Sequence, residues 1–205
     1  MKVSLWIDVR CPWTWMAAQW LVEDVAPHRD IDIAWEPMSL YLRKDPPESS
    51  PNYEKLWFTH RLLRVIQALK SAESEQAAGK AYFAFATLVW QGRDWDFAPA
   101  DVLAAIGLEP SYATAFDEPS WDAAIQNSMS RAYAMIGDEA GNTPVLGITK
   151  STGEPTAMYG PVLLHRPAPE GSLPLWDACV EMVTNPAFLE LNSSQPDLPQ
   201  FDTNR

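Results

Sequence analysis

The sequence predicts an α/β fold with an inserted all-helical subdomain, and three patterns along the chain support this prediction. Two strand-like segments, residues 3–9 and 31–40, flank a helix-like segment. A long run of helix-like patterns follows without a convincing strand, and strand-like patterns then resume. We therefore predict an α/β domain formed by residues 1–51 and 138–205, interrupted by a helical subdomain over residues 52–137.

The first part of the chain has the pattern of a strand–helix–strand unit. In "VSLWIDV", apolar residues alternate with others, which is the period of a β-strand. Pro12 suits the first turn of a helix, where its missing N–H removes no hydrogen bond, and the helix is expected to end near Pro27. "IDIAWEPMSL" then alternates again, so a right-handed crossover is expected. Cys11 would then lie at the carboxyl end of the first strand, where open α/β sheets place their ligands.

The middle of the chain is predicted to be helical. "LRKDPPESSPNYEK" contains helix breakers and is predicted to be a connection. Four segments after it have apolar residues at helical spacing or helix start and stop signals. These segments are "LWFTHRLLRVIQAL", "QAAGKAYFAFATLVWQ", "PADVLAAIG" and "SWDAAIQNSMSRAYAMIG".

Strand patterns return near the end of the chain. "TPVLGIT" and "PTAMYGPVLL" are predicted to form a hairpin, with "KSTGEP" between them supplying turn residues. A final helix is predicted over "LPLWDACVEMVT". The predicted order of elements is therefore β-α-β, a helical insertion, and β-β-α.

Composition and charge exclude several classes of function. The formal net charge of −12 over 205 residues argues against a nucleic-acid partner. No apolar run approaches the ~20 residues that a membrane-spanning helix needs, and the first residues lack a secretory signal pattern. Two cysteines do not imply a disulfide framework, so we expect a cytoplasmic protein in a reducing compartment. No metal-ligand spacing and no glycine-rich phosphate loop is present, so neither a metal nor a flavin is expected.

Cys11 is the strongest candidate for a reactive residue. A thiolate at a helix N-terminus meets unpaired backbone N–H groups and the positive end of the helix dipole. Such positions lower a cysteine pKa, to between about 3.5 and 7.5 in known cases. Pro12 fixes the chain as it enters the helix, and the hydroxyl of Thr14 can donate a hydrogen bond to the sulfur. Position alone leaves open a second interpretation, in which Cys11 is a small buried apolar residue.

The other candidate residues are predicted to be structural. Cys179 lies on the apolar stripe of the last helix and is expected to be inert. His60, Arg61 and Arg64 can bind a carboxylate, but a solvated helix face is favoured. His165 at a strand end is expected to be incidental. Three tryptophans in the insertion can line a pocket for flat substrates, but packing between helices and sheet is favoured; they are Trp57, Trp90 and Trp95.

An ordered set of short segments resembles a known family. "CPWTW", "EPMSL", "GNTPVLGI", "MYGPVLLHRP" and "LPQFD" occur in the order found in the mycothiol-dependent nitroreductases of mycobacteria and their actinobacterial relatives. The match runs nearly end to end. The resemblance implies a thioredoxin-like fold of the DsbA type, interrupted by the helical insertion.

The resemblance also implies roles for individual residues. Cys11 would be the nucleophile of a thiol oxidoreductase. Pro144 would match the cis-proline of the family, and Thr143 would offer its backbone groups to a bound thiol or disulfide. Trp13 would shape the wall of the substrate site, beside Pro12, and Tyr53 matches a tyrosine of the family's substrate pocket.

The chain departs from the family pattern at two places. The family has C-P-W-C, whereas Thr14 stands here in place of the second, resolving cysteine. The segment after "EPMSL" is "YLRKDPP" instead of an Asn-rich stretch. Because the first departure removes an internal disulfide within the motif, a monothiol mechanism is expected, in which a second molecule of thiol releases the enzyme.

Three functions remain open on this basis. The first is a monothiol oxidoreductase that uses a low-molecular-weight thiol, mycothiol or glutathione, as co-substrate. The second is a transferase or isomerase like the kappa-class glutathione transferases, in which residue 11 activates the sulfur of the thiol. The third is a thiol-binding relative without turnover. All three imply a small-molecule thiol as partner, and the first two imply an electrophilic or disulfide substrate; none fixes the oligomeric state.

Overall fold

Four β-strands form one sheet in the computed structural model, which describes residues 1–137, 142–150, 153–191, 193–194, 196 and 198–201. The strands are β1 (Lys2–Ile7), β2 (Asp32–Pro37), β3 (Val145–Thr149) and β4 (Thr156–Tyr159). Their order in the sheet is β2-β1-β3-β4, and β3 runs antiparallel to both β1 and β4. The predicted strands and the predicted hairpin are confirmed, but turn residues 151–152 lie outside the described part of the chain.

Helices occupy most of the rest. They are α1 (Pro12–Gln19), α2 (Leu40–Lys44), α3 (Tyr53–Ala72), α4 (Glu75–Trp90), α5 (Pro99–Ala105), α6 (Asp122–Ile136) and α7 (Pro169–Thr184). α1 is continued by a π-helical segment, Trp20–Val25, and a 3₁₀ turn, Ala26–His28; two further 3₁₀ segments are Pro110–Asp117 and Pro119–Trp121. The four helices predicted in the middle of the chain are confirmed as α3, α4, α5 and α6.

Three predicted boundaries were wrong. The segment predicted to be a connection includes the end of α2, because the Ser39 side chain caps this short helix by accepting a hydrogen bond from the Leu42 N–H at 3.1 Å. β4 ends at Tyr159 instead of Leu164, because Gly160 has a φ of +108° and the following proline has no N–H to donate. α7 begins before the predicted segment, at Pro169, and it accommodates a second proline.

The chain divides into two compact units. The first comprises residues 1–6, 12–34 and the described part of 132–205, and the second comprises residues 7–11 and 35–131. The inserted subdomain predicted over residues 52–137 remains a prediction, and its partner boundary at residue 138 lies outside the described residues.

The first unit packs α7 against the sheet and against the continuation of α1. The Trp20 indole N–H donates to the Ser172 hydroxyl at 2.6 Å, and the ring meets Trp176 edge to face at 6.1 Å. All three residues are almost fully buried. The contact therefore fixes α7 over the helix that follows Cys11 in the chain.

The second unit ties its helices to the end of β2. Glu36 is 8% exposed, and its carboxylate binds Lys70 at 2.9 Å and accepts hydrogen bonds from Arg131 at 2.6 Å and Ser128 at 3.1 Å. Three different donors satisfy this nearly buried charge, as burial requires.

In the part of the chain that the structure describes, no helix is long and apolar enough to cross a membrane.

Candidate active site

Cys11 occupies the position that the sequence predicted for it. β1 ends at Ile7, α1 begins at Pro12, and Cys11 is the last residue before that helix. Its backbone N–H donates to the Asp8 carbonyl oxygen at 3.0 Å, which closes a tight turn between the strand and the helix. Cys11 retains 4% of its surface exposed, so access to the sulfur is narrow.

A buried aspartate organises the turn that carries Cys11. The Asp8 side chain is fully buried, and its two carboxylate oxygens accept hydrogen bonds from the Arg10 N–H at 2.7 Å and the Leu40 N–H at 2.6 Å. Burial raises the pKa of Asp8 from 3.8 to about 6, and the two N–H donors oppose that rise. One side chain thus holds both the turn before Cys11 and the first residue of α2.

Sequence reasoning missed Asp8. The signal was available, because an acidic residue directly after a buried strand and three residues before the candidate nucleophile is unusual. The prediction treated Asp8 only as a polar position of the strand over residues 3–9. Only the fold shows that this side chain is inside.

Tyr53 begins α3 and belongs to an aromatic group. Its hydroxyl lies 3.4 Å from the Tyr41 hydroxyl, and the two rings meet edge to face at 5.8 Å. The hydrogen bond with Tyr53 raises the pKa of Tyr41 to about 12. Tyr41 also packs against Trp57 at 5.0 Å and stacks on His60 at 5.3 Å. Trp57 therefore packs among residues of α2 and α3, whereas the sequence favoured packing between helices and sheet. The substrate role of Tyr53 remains a prediction.

The prediction that His60, Arg61 and Arg64 form a solvated helix face was wrong. His60 is fully buried and Arg64 is 2% exposed. Arg64 forms two hydrogen bonds with the Asp122 carboxylate, at 2.6 and 2.8 Å, and His60 lies 3.1 Å from the same carboxylate. Burial lowers the pKa of His60 to about 4, so this imidazole is neutral at pH 7. Because Asp122 on α6 pairs with Arg64 and Asp117 pairs with the partly exposed Arg61, the group holds α3 against α6 and does not offer a free positive charge.

The remaining predicted site residues belong to the first unit. Pro12 and Trp13 are partly exposed at the start of α1, and Thr14 is fully buried one residue further. Thr143 is buried, the Thr143–Pro144 peptide bond is cis, and the Pro144 carbonyl oxygen accepts from Gly160 N–H at 2.8 Å. The structure thus places Cys11 and Tyr53 in one unit and the other five residues in the other.

Two other predicted residues are structural. Cys179 is 6% exposed within α7, and burial raises the pKa of its thiol to about 11. His165 is exposed, and its ring nitrogen Nδ1 lies 3.0 Å from the carbonyl oxygen of the neighbouring Arg166. Within the described residues it has no other hydrogen bond. In the described ranges, no group of three or more His, Cys, Asp or Glu side chains is placed to hold a metal ion.

Three solved structures superimpose on most of this chain at low sequence identity. A putative protein disulfide isomerase from Nitrosomonas europaea superimposes with a TM-score of 0.61 at 12% identity, covering 88% of this chain and 97% of that one. The cytosolic disulfide reductase DsbM from Pseudomonas aeruginosa gives 0.60 at 13% identity, covering 88% and 99%. DsbA2 from Pseudomonas aeruginosa gives 0.57 at 16% identity, covering 91% and 90%. At this identity the likeness shows the fold, which is thioredoxin-like and of the DsbA type, with inserted helices.

A family model matches far more of the chain than any single motif. The model described as "Rv2466c-like: Mycothiol-dependent nitroreductase Rv2466c" covers residues 10–193, from the residue before Cys11 to beyond α7. It includes the turn before α1, all the inserted helices and the β3–β4 hairpin. The chain therefore belongs to the Rv2466c-like family of mycothiol-dependent nitroreductases.

Proposed function

We propose that the protein is a cytoplasmic monothiol oxidoreductase that exchanges disulfides with a low-molecular-weight thiol, and that Cys11 is its nucleophile. The observation that carries the proposal is the position of Cys11, which directly precedes α1 in a turn fixed by Asp8. A residue there lies at the positive end of the helix dipole, which favours a thiolate. The family supplies the thiol dependence.

The proposed cycle has two exchange steps and needs only one protein sulfur. In the first, the Cys11 thiolate attacks one sulfur of a disulfide, a Cys11–S–S–R bond forms, and the other half leaves as a thiolate. In the second, the thiolate of a low-molecular-weight thiol attacks the R sulfur of that mixed disulfide, which restores the Cys11 thiolate and yields a new disulfide. Neither step needs an external oxidant or reductant, because in each step one S–S bond breaks and one S–S bond forms.

Thr14 explains why a one-sulfur cycle is proposed. By the family resemblance it stands at the place of the resolving cysteine, and a hydroxyl cannot form a disulfide. Cys179 does not substitute for that cysteine, because its thiol is buried in a helix with a pKa of about 11 and is almost fully protonated at pH 7. Thr14 is proposed to keep the motif's shape and to donate its hydroxyl hydrogen to sulfur.

The test combines intact-mass spectrometry with turnover of a mixed disulfide. Wild-type protein treated with mycothiol disulfide, or with glutathione disulfide as a second probe, should gain one thiol adduct on Cys11 and lose it when excess thiol is added. Cys11→Ser should neither gain an adduct nor turn over. Cys179→Ala, which also removes one sulfur, is the matched control and should behave like the wild type.

Other outcomes assign the alternative functions. Substantial turnover by Cys11→Ser would identify a transferase that activates the sulfur of its co-substrate, since a serine hydroxyl can still hydrogen-bond that sulfur. Thiol binding without turnover on nitroaromatics, mixed disulfides and peroxides would identify a non-catalytic relative. Thr14→Cys should restore an internal disulfide with Cys11, visible as loss of two hydrogens without an adduct.

A further inference from the structure

Arg10, the residue before Cys11, packs against two tryptophan rings. Its guanidinium carbon is 5.7 Å from the centre of the Trp90 ring and 5.2 Å from that of Trp95, and these rings meet at 82°. Together with Asn52 and Lys55 these residues are named the Arg10 cluster.

The cluster is attached to the same turn as the nucleophile. The Trp90 indole N–H donates to the Val9 carbonyl oxygen at 2.9 Å, and the Arg10 backbone N–H donates to Asp8. One wall of the cluster and its cation are therefore fixed to the two residues that precede Cys11. The charges of Asp8 and Cys11 act on the guanidinium and oppose the effect of burial, which lowers the pKa of Arg10.

The hydrogen-bonding capacity of Arg10 is only partly used. Its Nη2 donates to the Asn52 side-chain oxygen at 3.3 Å, whereas Nε is buried without a hydrogen-bond partner. Among the described residues, no carboxylate lies within ion-pair distance, 4.0 Å, of Arg10. Five other arginines each pair with a carboxylate; these are Arg29, Arg61, Arg64, Arg131 and Arg166. The chain has a net charge of −12, so a guanidinium that forms no ion pair with the described residues is unusual in it. This guanidinium belongs to the residue directly before Cys11.

A second cation extends the cluster toward solvent. The Lys55 ammonium lies 5.0 Å from the centre of the Trp95 ring, and Lys55 is exposed while both tryptophans are partly exposed. Glu54, Asp94 and Asp96, close in sequence to Lys55 or Trp95, are exposed and form no ion pair with either cation within the described ranges. The carboxylate nearest to Arg10 in sequence is that of buried Asp8, whose charge acts on the guanidinium without an ion-pair contact. The cluster thus combines two cations that form no ion pair among the described residues with aromatic walls that are partly exposed to solvent.

We propose that the Arg10 cluster is a binding site for a carboxylate of the small molecule that exchanges disulfides with Cys11, an inference that rests on the proposed function. Guanidinium groups bind carboxylates through charge-assisted hydrogen bonds, and Asn52 with the tryptophan rings fixes the orientation of this one. Because the charge of Cys11 acts on the Arg10 guanidinium, an anion held there is proposed to lie near the attacking sulfur. The carboxylate belongs either to the disulfide or, where the releasing thiol is glutathione, to that thiol, because mycothiol has no carboxylate.

The test compares two aromatic disulfides that differ in charge, in a Cys179→Ala background. The Cys11 thiolate attacks dithiobis(nitrobenzoate), which carries two carboxylates, or neutral dithiodipyridine; either reaction forms a Cys11–S–S–aryl bond and releases one coloured aryl thiolate or thione. Arg10→Met should lower the ratio of the two rate constants about tenfold, because a charge-assisted hydrogen bond is lost. Using the ratio cancels any change in the reactivity of the sulfur itself.

Two further variants keep the result interpretable. Lys55→Gln, at an exposed position, should lower the same ratio about twofold to threefold. Lys80→Gln removes an equal charge from the exposed face of α4, about 15 Å of helix before Trp90, and should leave the ratio unchanged. Added salt should lower the ratio in the wild type and much less in Arg10→Met.

A second arm identifies which molecule carries the carboxylate. The aryl adduct on Cys11 is released with glutathione, which is anionic, or with neutral 2-mercaptoethanol. A fall in this second ratio in Arg10→Met assigns the site to the releasing thiol, and a fall in the first ratio assigns it to the disulfide. Ratios equal to those of the wild type in both arms overturn the inference alone. Failure of Cys11 to react with either reagent overturns the proposed function and the inference with it.

Discussion

The two cysteines of this protein are buried to nearly the same extent in very different surroundings. Cys11 is 4% exposed and Cys179 is 6% exposed. Cys11 lies in a turn directly before α1, next to a buried carboxyl group and an arginine. Cys179 lies in the middle of α7, where burial alone raises the pKa of its thiol to about 11.

This difference shows that burial by itself does not decide whether a thiol is reactive. At the Cys179 position burial removes water and supplies no partner for an anion, so the neutral thiol is favoured. At the Cys11 position the chain changes from strand to helix, and the start of a helix supplies the positive end of its dipole. We therefore expect the polar groups around each sulfur, and not its exposed area, to decide which of the two thiols is reactive.

The largest expected effect is the difference in alkylation rate between the two cysteines. At pH 7 a thiol with a pKa near 11 is ionised in only about 1 molecule in 10,000, so Cys11 should react with iodoacetamide at least about a hundredfold faster. Peptide mass spectrometry of briefly treated protein measures both sites at once. Comparable labelling of Cys11 and Cys179 would contradict the predicted difference in reactivity. As a control, the Cys11→Ser variant should be alkylated only after unfolding.

A second prediction concerns the carboxyl group that fixes the turn at Cys11. The pKa of Asp8 is raised in the folded protein from 3.8 to about 6, so folding favours its protonated form. The stabilisation from the protonated group is complete below about pH 4 and is lost as pH rises to about 6, a fall of about 3 kcal/mol in the free energy of unfolding. Asp8→Asn should remove that fall, as measured by urea unfolding from pH 4 to 7.

The matched control for Asp8 is an aspartate on the surface. Asp101 is exposed on α5, and Asp101→Asn should retain the wild-type dependence on pH. If Asp8→Asn retained it too, Asp8 would not be the group that titrates, and the polar framework beneath Cys11 would need another explanation.

The smallest expected effect is at Cys179. Cys179→Ala removes one buried sulfur and should lower the free energy of unfolding by about 1 kcal/mol, because only a small cavity is left. Disulfide exchange should be unchanged, because that sulfur takes no part in it. Urea unfolding and turnover of the same preparation measure both quantities, and a loss of turnover greater than the loss of folded protein would give Cys179 a role in the reaction.

The sequence predicted the order of elements because the patterns were strong and local. Period-two alternation marked β1 and β2, and helical spacing marked the helices of the middle segment. Cys11 was found because Pro12 marked the start of a helix directly after it. These signals depend only on residues close together in the chain, so the elements predicted from them agree with the structure.

The residues missed were those whose surroundings come from distant parts of the chain. Asp8 is buried, and its carboxylate accepts a hydrogen bond from the backbone N–H of Leu40, 32 residues later in the chain. Arg64 and His60 were predicted to face solvent, but both are buried, where Asp122 on α6 pairs with Arg64 and lies 3.1 Å from the neutral His60. Arg10 was not considered, because its tryptophan walls lie 80 and 85 residues away. No local pattern contains such information.

The most direct test of the central claim is the pH dependence of Cys11 alkylation in a Cys179→Ala background. The rate should rise to half its maximum at a pH below the ~8.5 of an unperturbed thiol, because the start of α1 favours the thiolate. A midpoint at or above that value would show that burial dominates at Cys11 as it does at Cys179. The proposed nucleophile would then have no basis in the structure.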